Sequence, residues 1–177
     1  MPETSPEGAP RGEVAAMVAV QSALGDRPGV LTAARALSYF GEHSLGWLVV
    51  SLLGAVLVPR RRRDWLVAGV GSFAAHAAAV LVKRVVRRQR PHHSAVTVNV
   101  SVPSALSFPS AHATSTTTAA ILIGRATGLP VLPAVLVPPM ALSRILAGVH
   151  YPSDVAVGVL LGAVVARVAI RLEGGVT

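Results

Sequence analysis

The chain contains no cysteine, which excludes disulfides and thiolate metal sites. It carries neither an H-E-x-x-H run nor a carboxylate cluster, so no metal is expected. Charge is scarce: only 14% of the residues are Asp, Glu, Lys or Arg, against about 25% in soluble domains. Aromatic residues make up only 4%, too few to interleave with basic residues as a nucleic-acid surface requires. The opening residues, MPETSPEGAPRGE, lack the basic start and apolar core of a secretory signal. A disordered tail is expected over residues 1–12.

What is present is apolar. Hydrophobic residues reach 52% and mean hydropathy is +0.59. A single domain of 177 residues has too much surface to cover with so few charges, so the bilayer is the better environment. Five apolar stretches have spanning or near-spanning length: His43–Val58, Trp65–Val82, Ser110–Gly128, Leu129–Val149 and Ser153–Leu172. Eighteen helical residues cover about 27 Å, against a hydrocarbon core of about 30 Å, so local thinning or snorkelling is expected around the shorter ones. Gly69, Gly71, Ala74 and Ala75 suit close helix contact in lipid. Pro130, Pro133 and the Pro138-Pro139 pair are expected to bend the fourth stretch. Glu13–Leu24 and Gly29–Gly41 are each too short to span. They either lie at the interface or form one kinked span, and their length favours the interface. The expected architecture is all-α: an integral-membrane helical bundle of five or six spans with short N-terminal interfacial helices, over residues 13–172, followed by a tail at 173–177.

The net charge of +8 points to an anionic partner. Much of it lies in Lys83-Arg84-Val85-Val86-Arg87-Arg88-Gln89-Arg90-Pro91. On a helix Lys83, Arg87 and Arg90 would share one face and converge on a phosphate, leaving Arg84 and Arg88 to lipid head groups. The plainer alternative is a collar that binds anionic lipid, a non-catalytic membrane anchor. Arg60–Arg63 reads as a solvated turn and a topology signal. The long polar connection from Pro91 to Phe108 has the length of a functional loop. Thr114–Thr118 reads as hydroxyls bonding back to helix carbonyls. His76 is expected to pack within the membrane, and His43, His92 and His93 to make head-group or lid contacts.

Three short motifs follow one another. Lys83 and Arg90-Pro91 are separated by six residues; Pro109-Ser110-Ala111-His112 follows; then Ser143-Arg144, five residues, and His150-Tyr151-Pro152-Ser153-Asp154. The set resembles the type 2 phosphatidic acid phosphatase superfamily, whose motifs are K-x6-R-P, P-S-G-H and S-R-x5-H-x2-[ST]-D. Eleven specified positions match in order. One departs, Ala111 standing for the usual glycine, and alanine serves there if φ is negative. Alternation of spans brings all three motifs to one membrane face. Ser110 is expected as a helix N-cap, and a helix N-terminus favours anions.

The resemblance implies a lipid phosphatase that works without metal or cofactor. It makes His150 the nucleophile, Asp154 the group that orients it, and His112 the acid and then base. It makes Lys83, Arg90, Arg144, Ser110 and the Ala111 N–H the phosphate-binding groups, with Ser143 supporting Arg144 and Ser153 capping its helix. Two histidines in different protonation states imply a bell-shaped pH profile. Vanadium haloperoxidases share this residue set, but a short, lipid-embedded chain fits the phosphatases better. Within the superfamily, the Gly41-Glu42-His43 run and the Arg-rich first motif are similar to small actinobacterial enzymes acting on decaprenylphosphoryl-5-phosphoribose. Polyprenyl diphosphates, phosphatidylglycerol phosphate and phosphatidate stay open as substrates. The expected partners are thus a lipid phosphate and a bilayer with anionic lipids. The side of the active face is not fixed, because arginines flank both ends of the spans.

Overall fold

The structure is a computed structural model that describes residues 8–175. Most of the expected N-terminal tail, residues 1–7, and the last two positions of the C-terminal one lie outside the described residues. The α-helices are α1 (Gly12–Leu24), α2 (Val30–Gly41), α3 (Leu45–Leu57), α4 (Arg62–Val86), α5 (Ala111–Thr127), α6 (Leu132–Leu146) and α7 (Pro152–Gly174), with short 3-10 turns at Glu42–Ser44 and Pro59–Arg61. Among the described residues there is no β-strand, only one isolated bridge between Gln89 and Leu106.

Helix α5 forms the centre, with α4, α6 and α7 packed around it. Its sequence suits that place: small Ala, Ser and Thr residues dominate, and 13 of its 17 residues are buried. Burying so many hydroxyls requires partners, and they are local. Thr114 donates to the Ser110 carbonyl at 2.9 Å, and Thr117 to that of Ala113 at 2.8 Å. Thr118 also reaches across to the Gly162 carbonyl at 2.8 Å. Glycine in α7 permits this closeness: a Cβ on Gly158 would stand 2.7 Å from the Ser110 carbonyl oxygen. The outer faces are the reverse of a soluble protein's. Leu52, Val56 and Leu57 on α3, Val70 and Phe73 on α4, and Leu160, Val164 and Leu172 on α7 are exposed, a surface suited to lipid.

Three stretches are long and apolar enough to cross a membrane: Val30–Leu57, Pro59–Val86 and Pro152–Gly174. The first of them joins α2 to α3 across a break where His43 and Ser44 take positive φ, 48° and 63°. Helix α2 is therefore one arm of a broken 28-residue run with α3, whereas the kinked alternative read from the sequence had joined it to Glu13–Leu24.

Two expectations need correction. Helix α4 ends at Val86, because Arg87 adopts a left-handed φ of 55°. Lys83, Arg87 and Arg90 consequently do not share a helix face; the chain beyond Arg87 is extended and held by Ser107 N–H to the Arg88 carbonyl (2.8 Å) and Arg90 N–H to the Ala105 carbonyl (3.1 Å). Helix α6 is shorter than Leu129–Val149. Gly128, with φ 75°, caps α5, and the Leu129 N–H closes on the Gly124 carbonyl at 2.8 Å, so the turn consumes residues assigned to the span. At the other end α7 runs two residues into the expected C-terminal tail, to Gly174.

Candidate active site

Four helix ends meet at one end of the bundle: the C-termini of α4 and α6 and the N-termini of α5 and α7. Between them lies a cavity of about 350 Å³ lined by Lys83, Arg90, Ala111, His112, Arg144 and His150. All three sequence motifs contribute to it.

Lys83 and Arg144 are buried and Arg90 is half-buried, and each is held by carbonyls or hydroxyls. Lys83 is 8% exposed, and its Nζ donates to the Leu106 and Ser107 carbonyls at 3.2 and 2.7 Å. Arg90 donates from Nε to the Ser104 carbonyl and from Nη1 to the Val149 carbonyl, both at 2.7 Å. Arg144, 2% exposed, donates to the Ser38 and Ser143 hydroxyls. Ser143 in turn donates to the Met140 carbonyl at 2.7 Å, so it supports Arg144. Among the described residues no carboxylate forms an ion pair with any of these cations. Carbonyl dipoles orient the side chains, and the lone Glu42 carboxylate on the cavity wall offsets only part of the positive charge of three cations in a low-dielectric pocket. The cavity is shaped and charged for an anion.

Helix α5 adds its N-terminus. The Ser110 hydroxyl accepts from the Ala113 N–H at 3.4 Å as the N-cap. Ala111, the first helical residue, has negative φ, so its alanine fits where glycine is usual.

The motif histidines line the same cavity. His150 Nδ1 stands 3.5 Å from Asp154 Oδ2, an ion-pair separation slightly beyond hydrogen-bond reach. That face assigns the ring proton to Nδ1 and the lone pair to Nε2. Burial pushes the His150 pKa down to about 3, against the upward pull of the nearby Asp154 carboxylate and with further depression from Lys83 and Arg90. The ring is therefore neutral and nucleophilic at physiological pH. Asp154 is fully buried; its Oδ2 accepts the Tyr151 N–H at 2.9 Å, and its own carbonyl accepts the Ser110 N–H at 2.9 Å, tying the starts of α5 and α7 together. His112 Nε2 lies 2.9 Å from the Ser38 carbonyl, which fixes the ring and leaves Nδ1 for proton exchange. Gly41 makes room for it, since a Cβ there would stand 2.5 Å from His112 Cδ2.

Several residues occupy places other than those expected. Arg88, assigned from sequence to lipid head groups, turns inward and donates to Asp154 Oδ1 at 2.9 Å and to Ser153 Oγ at 2.6 Å. Ser153 does not cap α7; Tyr151 holds the N-cap position. Arg87 is exposed and does not line the cavity. His76 and His43 line the cavity with ring centroids 5.7 Å apart, whereas His92 and His93 do not. Ser38, Glu13 and Arg88 are the site contributors that the motifs did not reveal. Of these only Arg88 carried a signal, as a basic residue inside the first motif. Among the described residues no three His, Cys, Asp or Glu side chains cluster as a metal site would need.

Cations facing a histidine–aspartate pair suit phosphate chemistry, and sequence comparison shows the family: the chain belongs to the PAP2 superfamily, whose pattern matches residues 45–176. It is 73% identical over 169 residues, covering 96% of this chain and 95% of the relative, to the decaprenylphosphoryl-5-phosphoribose phosphatase of Mycobacterium tuberculosis. It is 65% identical over 150 residues, 85% of this chain and 83% of the relative, to the protein of the same name from Mycolicibacterium smegmatis. Among solved structures, the fold is similar to a transmembrane PAP2-type phosphatidylglycerolphosphate phosphatase from Bacillus subtilis, with TM-score 0.70 at 18% identity over 92% of this chain and 87% of that one. It is also similar to Aquifex aeolicus LpxE, with TM-score 0.66 at 18% identity over 89% and 93% of the two chains.

Proposed function

We propose that this protein is a multi-pass membrane phosphatase that removes the terminal phosphate from a prenyl-phosphosugar, decaprenylphosphoryl-5-phosphoribose or a close analogue. The reaction divides into two displacements. His150 Nε2 attacks phosphorus, the bond to the sugar oxygen breaks, and His112, held as the imidazolium by the bound phosphate dianion, delivers its Nδ1 proton to that oxygen and becomes neutral. Lys83, Arg90 and Arg144 hold the equatorial oxygens together with the Ser110 hydroxyl and the Ala111 N–H, while Asp154 stabilises the imidazolium formed at His150. His112 then takes a proton from water, the resulting hydroxide attacks the phosphohistidine, and inorganic phosphate leaves with the N–P bond electrons returned to His150.

The observation that carries the sugar assignment is the wall beyond the phosphate pocket. Ser38, Glu42, His43 and His76 line the same cavity. His76 precedes Lys83 by seven residues on α4, about 10 Å along the helix axis. Its Nδ1 is buried without a hydrogen-bond partner among the described residues. Acyl chains placed there would leave these polar groups unsatisfied, whereas ribose hydroxyls would pair with them. The high identity to two proteins of that name supports the same substrate.

Phosphate release from a panel of lipid phosphates in detergent, with and without EDTA, tests the reading. The prenyl-phosphosugar is expected to be the best substrate and His150→Ala to abolish turnover. Faster hydrolysis of phosphatidate would overturn the sugar assignment. Loss of activity on adding EDTA would overturn the metal-free chemistry.

A further inference from the structure

A second layer of charge stands behind the nucleophile, built by residues that do not line the cavity. Asp154 has two carboxylate oxygens and different duties for each. Oδ2 faces His150 and the Tyr151 N–H. Oδ1 is held by Arg88 Nη1 at 2.9 Å, and the same nitrogen donates to Ser153 Oγ at 2.6 Å. The other arm of the guanidinium, Nη2, donates at 2.7 Å to Glu13 Oε2, while Glu13 Oε1 accepts the Ser153 N–H at 2.8 Å. The Tyr151 ring packs 4.0 Å from the guanidinium carbon. Glu13 belongs to the first turn of α1, ahead of the region the PAP2 pattern covers. An N-terminal helix thus reaches the back of the His150–Asp154 pair through one arginine.

We infer that Glu13 and Arg88 are positioning residues for the phosphohistidine reaction, and that α1 is a clamp which sets the orientation and charge of Asp154. The inference rests on His150 being the nucleophile. Arg88 stops the buried carboxylate from rotating, so Oδ2 stays directed at Nδ1. Left alone, however, a guanidinium bound to Asp154 would draw off the negative charge that must stabilise the imidazolium. Glu13 answers this by sharing the arginine, so that the cluster of Glu13, Arg88 and Asp154 keeps a net charge of −1. The left-handed turn at Arg87 makes the reach possible by ending α4 one residue earlier.

The test uses the full-length protein in detergent, with the prenyl-phosphosugar as substrate. Arg88→Gln is expected to lower kcat by about 30- to 100-fold and Glu13→Gln by about 5- to 10-fold, each with KM within about threefold of wild type. Arg88→Lys, which keeps one charged bond, should recover part of the loss. The double variant should be no worse than Arg88→Gln alone, because both act through the same carboxylate. Glu13→Gln, whose site is partly solvent-facing, decides the matter if Arg88→Gln does not fold. Wild-type kcat in a folded Glu13→Gln protein, or losses that multiply in the double variant, would overturn the clamp. So would an equal rise in KM and fall in folded fraction with kcat per folded molecule unchanged, which is the signature of a merely structural contact. Absence of a phosphohistidine in the wild type would instead fail the parent mechanism, and the clamp with it.

Discussion

The two ends of the bundle are both rich in arginine, yet they use it in opposite ways. At the end away from the cavity, Arg61 pairs with Asp64 at 3.2 Å and Arg125 with Glu173 at 2.7 Å, with side chains 56% and 44% exposed. At the cavity end, Arg144 and Lys83 are 2% and 8% exposed, and their partners are carbonyls and hydroxyls. The first kind of cation is screened and satisfied, so it contributes little. The second is desolvated without a counter-ion, a cost the fold sustains only where an anion completes the site. Burial and partner type, rather than the number of basic residues, separate a surface collar from a phosphate site.

The comparison breaks most directly if cations from the two ends prove interchangeable. Replacing Lys83 or Arg90 by Met, or Arg144 by Gln, is expected to reduce kcat/KM by about 10²- to 10³-fold each, measured as phosphate release from the prenyl-phosphosugar. Gly41→Ala should cost about tenfold in kcat by displacing the His112 ring, with stability measured in parallel to separate displacement from unfolding. The same buried charges act on His150. Its pKa is depressed, so its ring should remain neutral from about pH 5 to 8 by ¹⁵N NMR. Because Lys83 contributes to the depression, Lys83→Met should move that titration upward. Protonation during this pH interval in the wild type would contradict a buried nucleophile. Arg125→Gln, at the opposite end, should change stability by less than about 1 kcal/mol and leave kcat/KM within about twofold.

The residues with fixed sequence spacing were legible before any coordinates. Lys83, Arg90, Ser110, His112, Arg144, His150 and Asp154 stand in three motifs at helix boundaries, and the apolar stretches place four of those boundaries together. The Ser110 N-cap and the back-bonded threonines of α5 were equally readable, because both are local hydrogen-bond patterns. Arg88 was misassigned because helical periodicity was carried past Val86, and nothing in the local composition announces the left-handed turn at Arg87. Ser38 and Glu13 were invisible for another reason. Each reaches the site only through long-range contacts, Ser38 with His112 and Arg144, 74 and 106 residues away, and Glu13 with Arg88 and Ser153, 75 and 140 residues away, and such contacts have no periodic signature in a single sequence. Proline at positions 138 and 139 did not end α6, since donors on neighbouring helices and local adjustments of the helix can serve the carbonyls left without an N–H in a packed membrane bundle.

The central claim is a covalent bond between phosphorus and one imidazole. Rapid quenching of the enzyme during turnover, under alkaline denaturing conditions, followed by peptide mass spectrometry, should find an alkali-stable, acid-labile phosphate on Nε2 of His150 and none in His150→Ala. Phosphate on any other side chain, or steady release with no phosphoenzyme at all, would contradict the mechanism.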